Sequence, residues 1–485
     1  MDTDRTSGAM GAGPLADRRT GLLVAAAVAG VVLVIVGLVV ARSNGDSTPG
    51  LRVLAGDNHP VTGVAAGGLE SFGSPAVVAS ASDPDTLVVA ARVERPQLSA
   101  VVRRSSDAGA TWATAELPAP PGERAYSPDL AMAGGRVYAA YVTLAEATNN
   151  PSGVWLAQST DGGASFAPPA KVAGPYGYQP RVLVHGDMVH VSFVQASSSL
   201  EGVRNGFGPP PNPVVVATST DGGARFGQAV PVSGQRQRVG AATPFVDAGG
   251  DLMVLFEDFG DDVTDFEAKP GPDYTGSYSL VLARSTDGGT TFQETSVVDD
   301  AVRPMGRFSP YSPVFPSVAV APSGAASGPS AIYVAWADGA GSDWDVHLRR
   351  SDDGASTWGQ RVRVNTDQTK TAQYLPAVAV APSGRVDVAF LDRSEDPKGN
   401  MLTGAALATS FDAGATWRSV VVSDHLFDAM IGPEGFTAGM ADPGSRLSLT
   451  SDKDRAVVAW TDARQGTEAT ARQDVYVAPV TIGAA

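Results

Sequence analysis

The chain predicts an all-β fold built from a repeated four-stranded unit. An octapeptide recurs six times, and an apolar strand pair that begins near a proline precedes each copy. The 55 glycines and 35 prolines among 485 residues suit many short strands joined by turns. The octapeptides are "SSDAGATW" at Ser105 to Trp112, "STDGGASF" at Ser159 to Phe166 and "STDGGARF" at Ser219 to Phe226. "STDGGTTF" at Ser285 to Phe292, "SDDGASTW" at Ser351 to Trp358 and "SFDAGATW" at Ser410 to Trp417 complete the set. All fit S-x-D-x-G-x-x-[FW] except the fifth, which has Ala355 in the glycine place and Gly354 one place early.

Each position in the turn has a physical job. The carboxylates of Asp107, Asp161, Asp221, Asp287, Asp353 and Asp412 can accept N–H bonds inside their own turn, which marks them as structural. The glycine takes a positive φ at little cost. The closing aromatic buries a large area and can wedge between sheets.

The strands around the turns define the unit. "SPAVVAS" at Pro75, "SPDLAMA" at Pro128, "QPRVLVH" at Pro180, "TPFVDA" at Pro244, "FPSVAVA" at Pro316 and "LPAVAVA" at Pro376 open successive units. A polar turn and a second apolar strand follow, as in "TLVVAAR", "LMVLFED" and "VDVAFLD". A third strand runs into the octapeptide and a fourth leaves it. Four antiparallel strands repeated radially make a β-propeller blade. A seventh unit, "RLSLTSD", "AVVAWTD" and "QDVYVAPV", lacks a fourth strand. "LRVLAG" or "PVTGVA" near the N-terminus can supply it, so that no sheet edge is left open. Seven blades are therefore expected, with six and an appended hairpin as the alternative.

Gly21 to Ala41 is an apolar run of 21 residues without a charge, long enough at about 1.5 Å per residue to cross a bilayer. Arg18 and Arg19 precede it and only Arg42 follows closely, which favours an N-terminus inside and a body outside. The rival reading, a cleaved signal peptide, would have a shorter apolar core and a small-residue cleavage site. The expected layout is a cytoplasmic tail over 1–20, a single-pass cell-membrane anchor over 21–41, a linker with a possible ring-closing strand over 42–70, and the propeller over 71–485. Four arginines and four aspartates cancel within residues 1–50, so the whole net charge of −16 belongs to the body. Such a field repels nucleic acid. No cysteine is present, which excludes thiolate and disulfide chemistry. Five histidines without zinc-ligand spacing give no cofactor, although "DFGDDVTDFE" and "DGAGSDWD" carry enough oxygens to suit calcium.

Propeller topology puts the octapeptides on one side of the ring. The residues before each inner strand and the loops after each second strand fall on the other. Four long connections collect there, including "ASSSLEGVRNGFGPPPNP" and "DHLFDAMIGPEGFTAGMADPG", and long loops are where function tends to sit. Charged residues end the second strands on that side: Glu257 and Asp258, Asp338, Asp392 with Arg393, and Asp462 with Arg464. Arg92 and Glu94 take that place in the first blade, and Arg181 follows the third blade's proline. Convergent carboxylates and guanidiniums can bind sugar hydroxyls or move protons, or they can pair between blades.

The six octapeptides resemble the Asp-box, or BNR, repeat of sialidases and related propellers, over roughly residues 50–485. The ending "WTDARQGTEATARQDVYVA" is similar to bacterial sialidase-like surface proteins. The resemblance implies a grip on an anionic sugar by three arginines, the first in an R-I-P ahead of the first strand. Here that site reads "GSP", Gly73 to Pro75. It also implies a tyrosine nucleophile, for which Tyr374 and Tyr311 lie on the right side, with Glu257 as activator and Asp392 as a further carboxylate. Arg393 and Arg464 are the remaining arginine candidates. Two functions follow as expectations. One is a membrane-tethered propeller that binds cell-surface glycan or protein without turnover. The other is a sialidase-like exo-glycosidase.

Overall fold

The computed structural model describes residues 51–63, 68, 70–145, 149–197, 211–236, 238–260, 277–298, 302, 315–322, 331–340, 343–433 and 444–484. They form seven antiparallel sheets of at least four strands, the blades of a propeller. Blade one is Ser71–Ala79, Leu87–Arg95, Ser99–Ser105 and Ala113–Ala115, from the channel outward. The seventh blade takes Ser448–Ser451, Arg455–Asp462 and Asp474–Ala484 from the C-terminus and Leu51–Ala55 from the N-terminus. Leu51 pairs with Ala484 and Ala55 with Val480, so the expected N-terminal strand closes the ring. Among the described residues no helix is long and apolar enough to cross a membrane. The apolar run at 21–41 lies outside them.

The second strands read as nearly unbroken apolar runs because neighbouring blades cover both of their faces. Leu87 to Ala91 and Val386 to Leu391 are buried throughout. Asp387, the second residue of the strand Val386–Asp392, has no exposed surface. It accepts from Arg385 Nε and Nη2, from Thr409 Oγ1 at 2.6 Å, and from Ser451 Oγ of blade seven at 2.8 Å. Arg385 in turn donates to the Asp452 and Lys453 carbonyls, so this buried pair pins blade six to blade seven.

Each inner strand is a sheet edge whose outward N–H groups need partners. The neighbouring blade supplies them. Val77 N–H donates to Ser448 Oγ, Val182 N–H to Asp129 Oδ2 and Val378 N–H to Ser317 Oγ, each at 3.0 Å. A bulge precedes these positions in blades one, two, three, four and six. It places Ser74, Ser127, Gln179, Ala241 and Leu375 in the left-handed region, at φ between +50° and +57°. In four of these blades the proline follows that residue directly. In blade four Pro244 stands three places after Ala241 and pairs with Val254, so the proline repeat misplaces that blade's register by two residues.

All six octapeptides make the same corner. The serine Oγ donates to the aspartate Oδ1 at 2.6–2.9 Å. The fifth residue's N–H donates back to that Oγ at 2.8–2.9 Å. The seventh residue's N–H donates to Oδ1 at 2.8–2.9 Å. These bonds stabilise the ionised carboxylate, and those from Thr111 and Ser105 lower Asp107 to about 2. The corners also dock on the preceding blade. Arg104 Nε reaches the Gly162 carbonyl at 3.2 Å, and Gln158 Nε2 reaches that of Gly222 at 2.9 Å. A Cβ on Gly163 would stand 2.6 Å from Val88 of blade one. Ala355 keeps the fifth-position bond to Ser351, at the cost of a left-handed alanine with φ +67°.

Candidate ligand-binding mouth

The ends of the second strands and the starts of the inner strands meet on the side opposite the corners. Most of the charge placed there by the second strands is spent within the ring. Asp258 pairs with Arg236, which also holds Glu294 at 2.9 Å. Asp338 pairs with Arg361 at 2.7 Å. Asp392 accepts from Ser394 N–H at 2.9 Å, Ser394 Oγ at 2.7 Å and Gln373 Nε2 at 3.0 Å. Burial raises its pKa and the Ser394 bonds oppose the rise. Asp462 accepts from Trp460 Nε1 at 2.9 Å and Arg464 Nη2 at 2.7 Å. Arg464 also contacts Asp424, donates to Asn58 Oδ1 at 3.1 Å, and lies 4.2 Å from the Tyr476 ring centroid. It is a seam between the closing N-terminal segment and blades six and seven.

Tyr374 is 1 % exposed, and its hydroxyl lies 3.2 Å from Thr403 Oγ1. Arg393 stacks over its ring at 5.3 Å and donates to Thr403 and to the Asn400 carbonyl. These two residues are brought together, but inside the blade. Glu257 is 0 % exposed, and neither carboxylate oxygen has a hydrogen-bond partner among the described residues. Burial, reinforced by the charge of Asp258, raises its pKa well above the usual range. Tyr311 and most of the loop that begins at Asp258 lie outside the described residues. Among those described, no group of three or more histidines and carboxylates could hold a metal ion.

The structure assembles a charged cluster that the sequence reading only partly named. Arg181 and Arg446 both hold Asp129, at 3.3 Å and 2.7 Å. Arg446 starts in blade seven, crosses blade one by bonds to the Ser74 and Pro75 carbonyls, and reaches blade two at Asp129 and Pro128. Ala76 stands at the same level of blade one as Asp129 does in blade two, and its small side chain suits this crossing. Beside the bridge, Arg92 pairs with Glu94 at 2.7 Å, and the Tyr126 hydroxyl donates to Glu94 Oε2 at 3.0 Å. Burial lowers the pKa of Arg181, Asp129 counteracts this, and the nearby charge of Arg92 adds to it. Three guanidiniums thus face two carboxylates in a chain of net charge −16.

Blades one and four share one further feature. Arg92 pairs across the strands with Gly73, and Glu257 with Gly240. Blades two, three and six carry Tyr126, Tyr178 and Tyr374 in the glycine place, opposite Val142, Val194 and Leu391. A glycine therefore accompanies a charged side chain, where a tyrosine accompanies an apolar one.

No family model and no curated protein matches the sequence. Solved structures with a similar fold include a Dyadobacter fermentans protein of unknown function, 14 % identical, covering 90 % of this chain and 100 % of that one at a TM-score of 0.49. A Fusarium graminearum GH93 α-L-arabinofuranosidase complexed with arabinobiose is 14 % identical, covering 66 % of this chain and 88 % of its own at 0.44. The Hadza microbial sialidase Hz136 is 14 % identical, covering 81 % and 73 % at 0.43. At this identity the likeness concerns the propeller fold, and no residue role is carried over from it.

Proposed function

We propose that the protein is a membrane-anchored extracellular propeller of the sialidase-like, Asp-box kind that binds glycan or protein through the mouth, without turnover. One observation carries this reading. Among the described candidates for chemistry, only Glu257 has no bond inside the scaffold, and it has no exposed surface. A hydrolase needs its acid and nucleophile aimed at the ligand. A binder needs only an asymmetric, polar rim, which Arg92, Glu94, Tyr126 and Arg181 provide. The apolar run at 21–41 supports the anchor, and the six self-satisfied corners support the Asp-box assignment.

A second reading, an exo-glycosidase, is favoured by the Tyr126–Glu94 pair at 3.0 Å with Arg92 alongside. The two readings separate with full-length protein in detergent, applied to a glycan array and to a panel of fluorogenic glycosides. Array binding lost in Arg181→Ala, with no glycoside cleaved, supports the binder. Cleavage that is lost in Tyr126→Phe and retained in Tyr374→Phe establishes the hydrolase. Neither binding nor cleavage rejects a glycan ligand.

A further inference from the structure

We propose that a cavity beside the corners of blades two and three is a second binding site, made for a small organic carboxylate with a flat apolar body. Its volume is about 610 Å³, within the usual range of ligand pockets. The sequence after the blade-two corner opens it. That stretch reads "FAPPA", Phe166 to Ala170. Ala167 N–H donates to the Gln158 carbonyl at 2.8 Å, and ladder pairing resumes only at Ala170, opposite Leu156. The two prolines between them have no N–H to give, so the outer strand starts late. In blades one, four and six it starts directly after the corner aromatic, at Ala113, Gln293 and Arg418. Blade three closes the cavity with Gly223, where a Cβ would stand 2.7 Å from Leu156. Phe166, Pro168 and Pro169 give the cavity flat apolar surface, and Arg136 gives it a cation.

The repeat itself shows what an arginine at this place takes. Val137, Val386 and Ala456 are equivalent second-strand residues, paired with Met132, Val380 and Ser451 of their inner strands. Arg136, Arg385 and Arg455 directly precede them. Two of these three arginines hold a carboxylate. Arg385 takes Asp387 at 2.9 Å, and Arg455 takes Asp85 of the next blade at 2.8 Å. In blade two, Tyr138 stands where Asp387 stands in blade six. Blade three's counterpart of Asp85 is Asp187, and no ion pair joins it to Arg136. The carboxylates of the two adjoining corners are engaged at home, Asp161 by Ser159 and Ser165 and Asp221 by Ser219 and Arg225. Among the described residues, then, Arg136 is exposed and makes neither an ion pair nor a hydrogen bond. A guanidinium meets a carboxylate through two parallel bonds, so a ligand carboxylate completes in blade two the pair that blades six and seven make internally. The apolar body of the ligand lies against Phe166 and the prolines.

The test uses the full chain in lipid nanodiscs, with empty nanodiscs as the blank, and follows para-fluorophenylacetate and its neutral amide by fluorine NMR. The expected result is saturable binding of the acid, with the amide about tenfold weaker or worse. Arg136→Ala, which removes no bond of the scaffold, should weaken the acid by a similar factor and leave the amide unchanged. Ala167→Trp should abolish binding of both by filling the cavity. The fold accepts long side chains at that place, since Gln293 and Arg418 occupy it in blades four and six. Arg181→Ala should change nothing, because the mouth is a separate site. Absence of saturable binding overturns the proposal. So does an amide that binds as well as the acid, or acid binding that survives Arg136→Ala. Acid binding lost in Arg181→Ala assigns the probe to the mouth and likewise overturns it.

Discussion

The two rims of this ring are built on opposite plans. The corner side repeats one hydrogen-bonded solution six times, with the same serine, aspartate and backbone groups at nearly the same distances. The mouth side repeats its backbone but not its side chains. At one level of the second strand the seven blades carry Arg92, Val142, Val194, Glu257, Ala337, Leu391 and Thr461. Repetition signals a task that every blade shares, which is turning the chain and docking on its neighbour. Variation on a common backbone signals a surface where each blade contributes something different. Recognition of one ligand requires the second kind of surface.

The largest expected effect breaks the scaffold rather than the mouth. Arg385→Ala strands the buried Asp387 carboxylate and should destabilise the ring by about 3–5 kcal/mol, read by urea or thermal unfolding. Next come two glycines of adjacent corner positions. Gly163→Ala meets Val88 at 2.6 Å as well as a left-handed backbone, and should cost about 2–4 kcal/mol. Gly222→Ala, with nothing within 4 Å, should cost only about 1 kcal/mol. Equal costs at the two sites would mean that docking between blades contributes nothing.

The mouth is probed by pH. Glu257 binds its proton more tightly folded than unfolded, so its contribution is full below the unfolded pKa and is lost as pH rises through the raised folded value. Glu257→Gln should flatten that decline in stability above about pH 4.5 and leave the acid side unchanged. A profile identical to that of the parent would show the carboxyl to be solvated. The smallest effect sharpens the corner rule. Ala355→Gly relieves a left-handed alanine and should raise stability by about 0.5 kcal/mol, after the loss of a buried methyl and the gain in chain entropy are offset.

The ring was legible in the sequence because its rules are local. A corner closes within eight residues, and a blade lacking a fourth strand advertises the need for one. What stayed hidden depends on long-range contact. Arg446 meets Asp129 across 317 positions, and nothing in "GSRLSLT" distinguishes that arginine from a surface one. Tyr126 and Glu94 are 32 residues apart and belong to different blades. Charges at strand ends read equally as ligand contacts or as ion pairs within the ring. Yet Asp338 is taken by Arg361 of its own blade, Asp462 by Arg464 two residues on, and Arg464 also by Asp424 in the link that follows blade six.

The division of labour between the rims is tested most directly by a pair of variants against whichever array glycan binds the parent chain. Arg181→Ala leaves Asp129 held by Arg446, and Ser159→Ala removes a corner hydroxyl at a cost of about 1–2 kcal/mol. On that division, Arg181→Ala should lose at least tenfold in affinity while still folded, whereas Ser159→Ala should lower the melting temperature and leave the affinity of the folded protein unchanged. Binding that survives Arg181→Ala but disappears in a still-folded Ser159→Ala would contradict it.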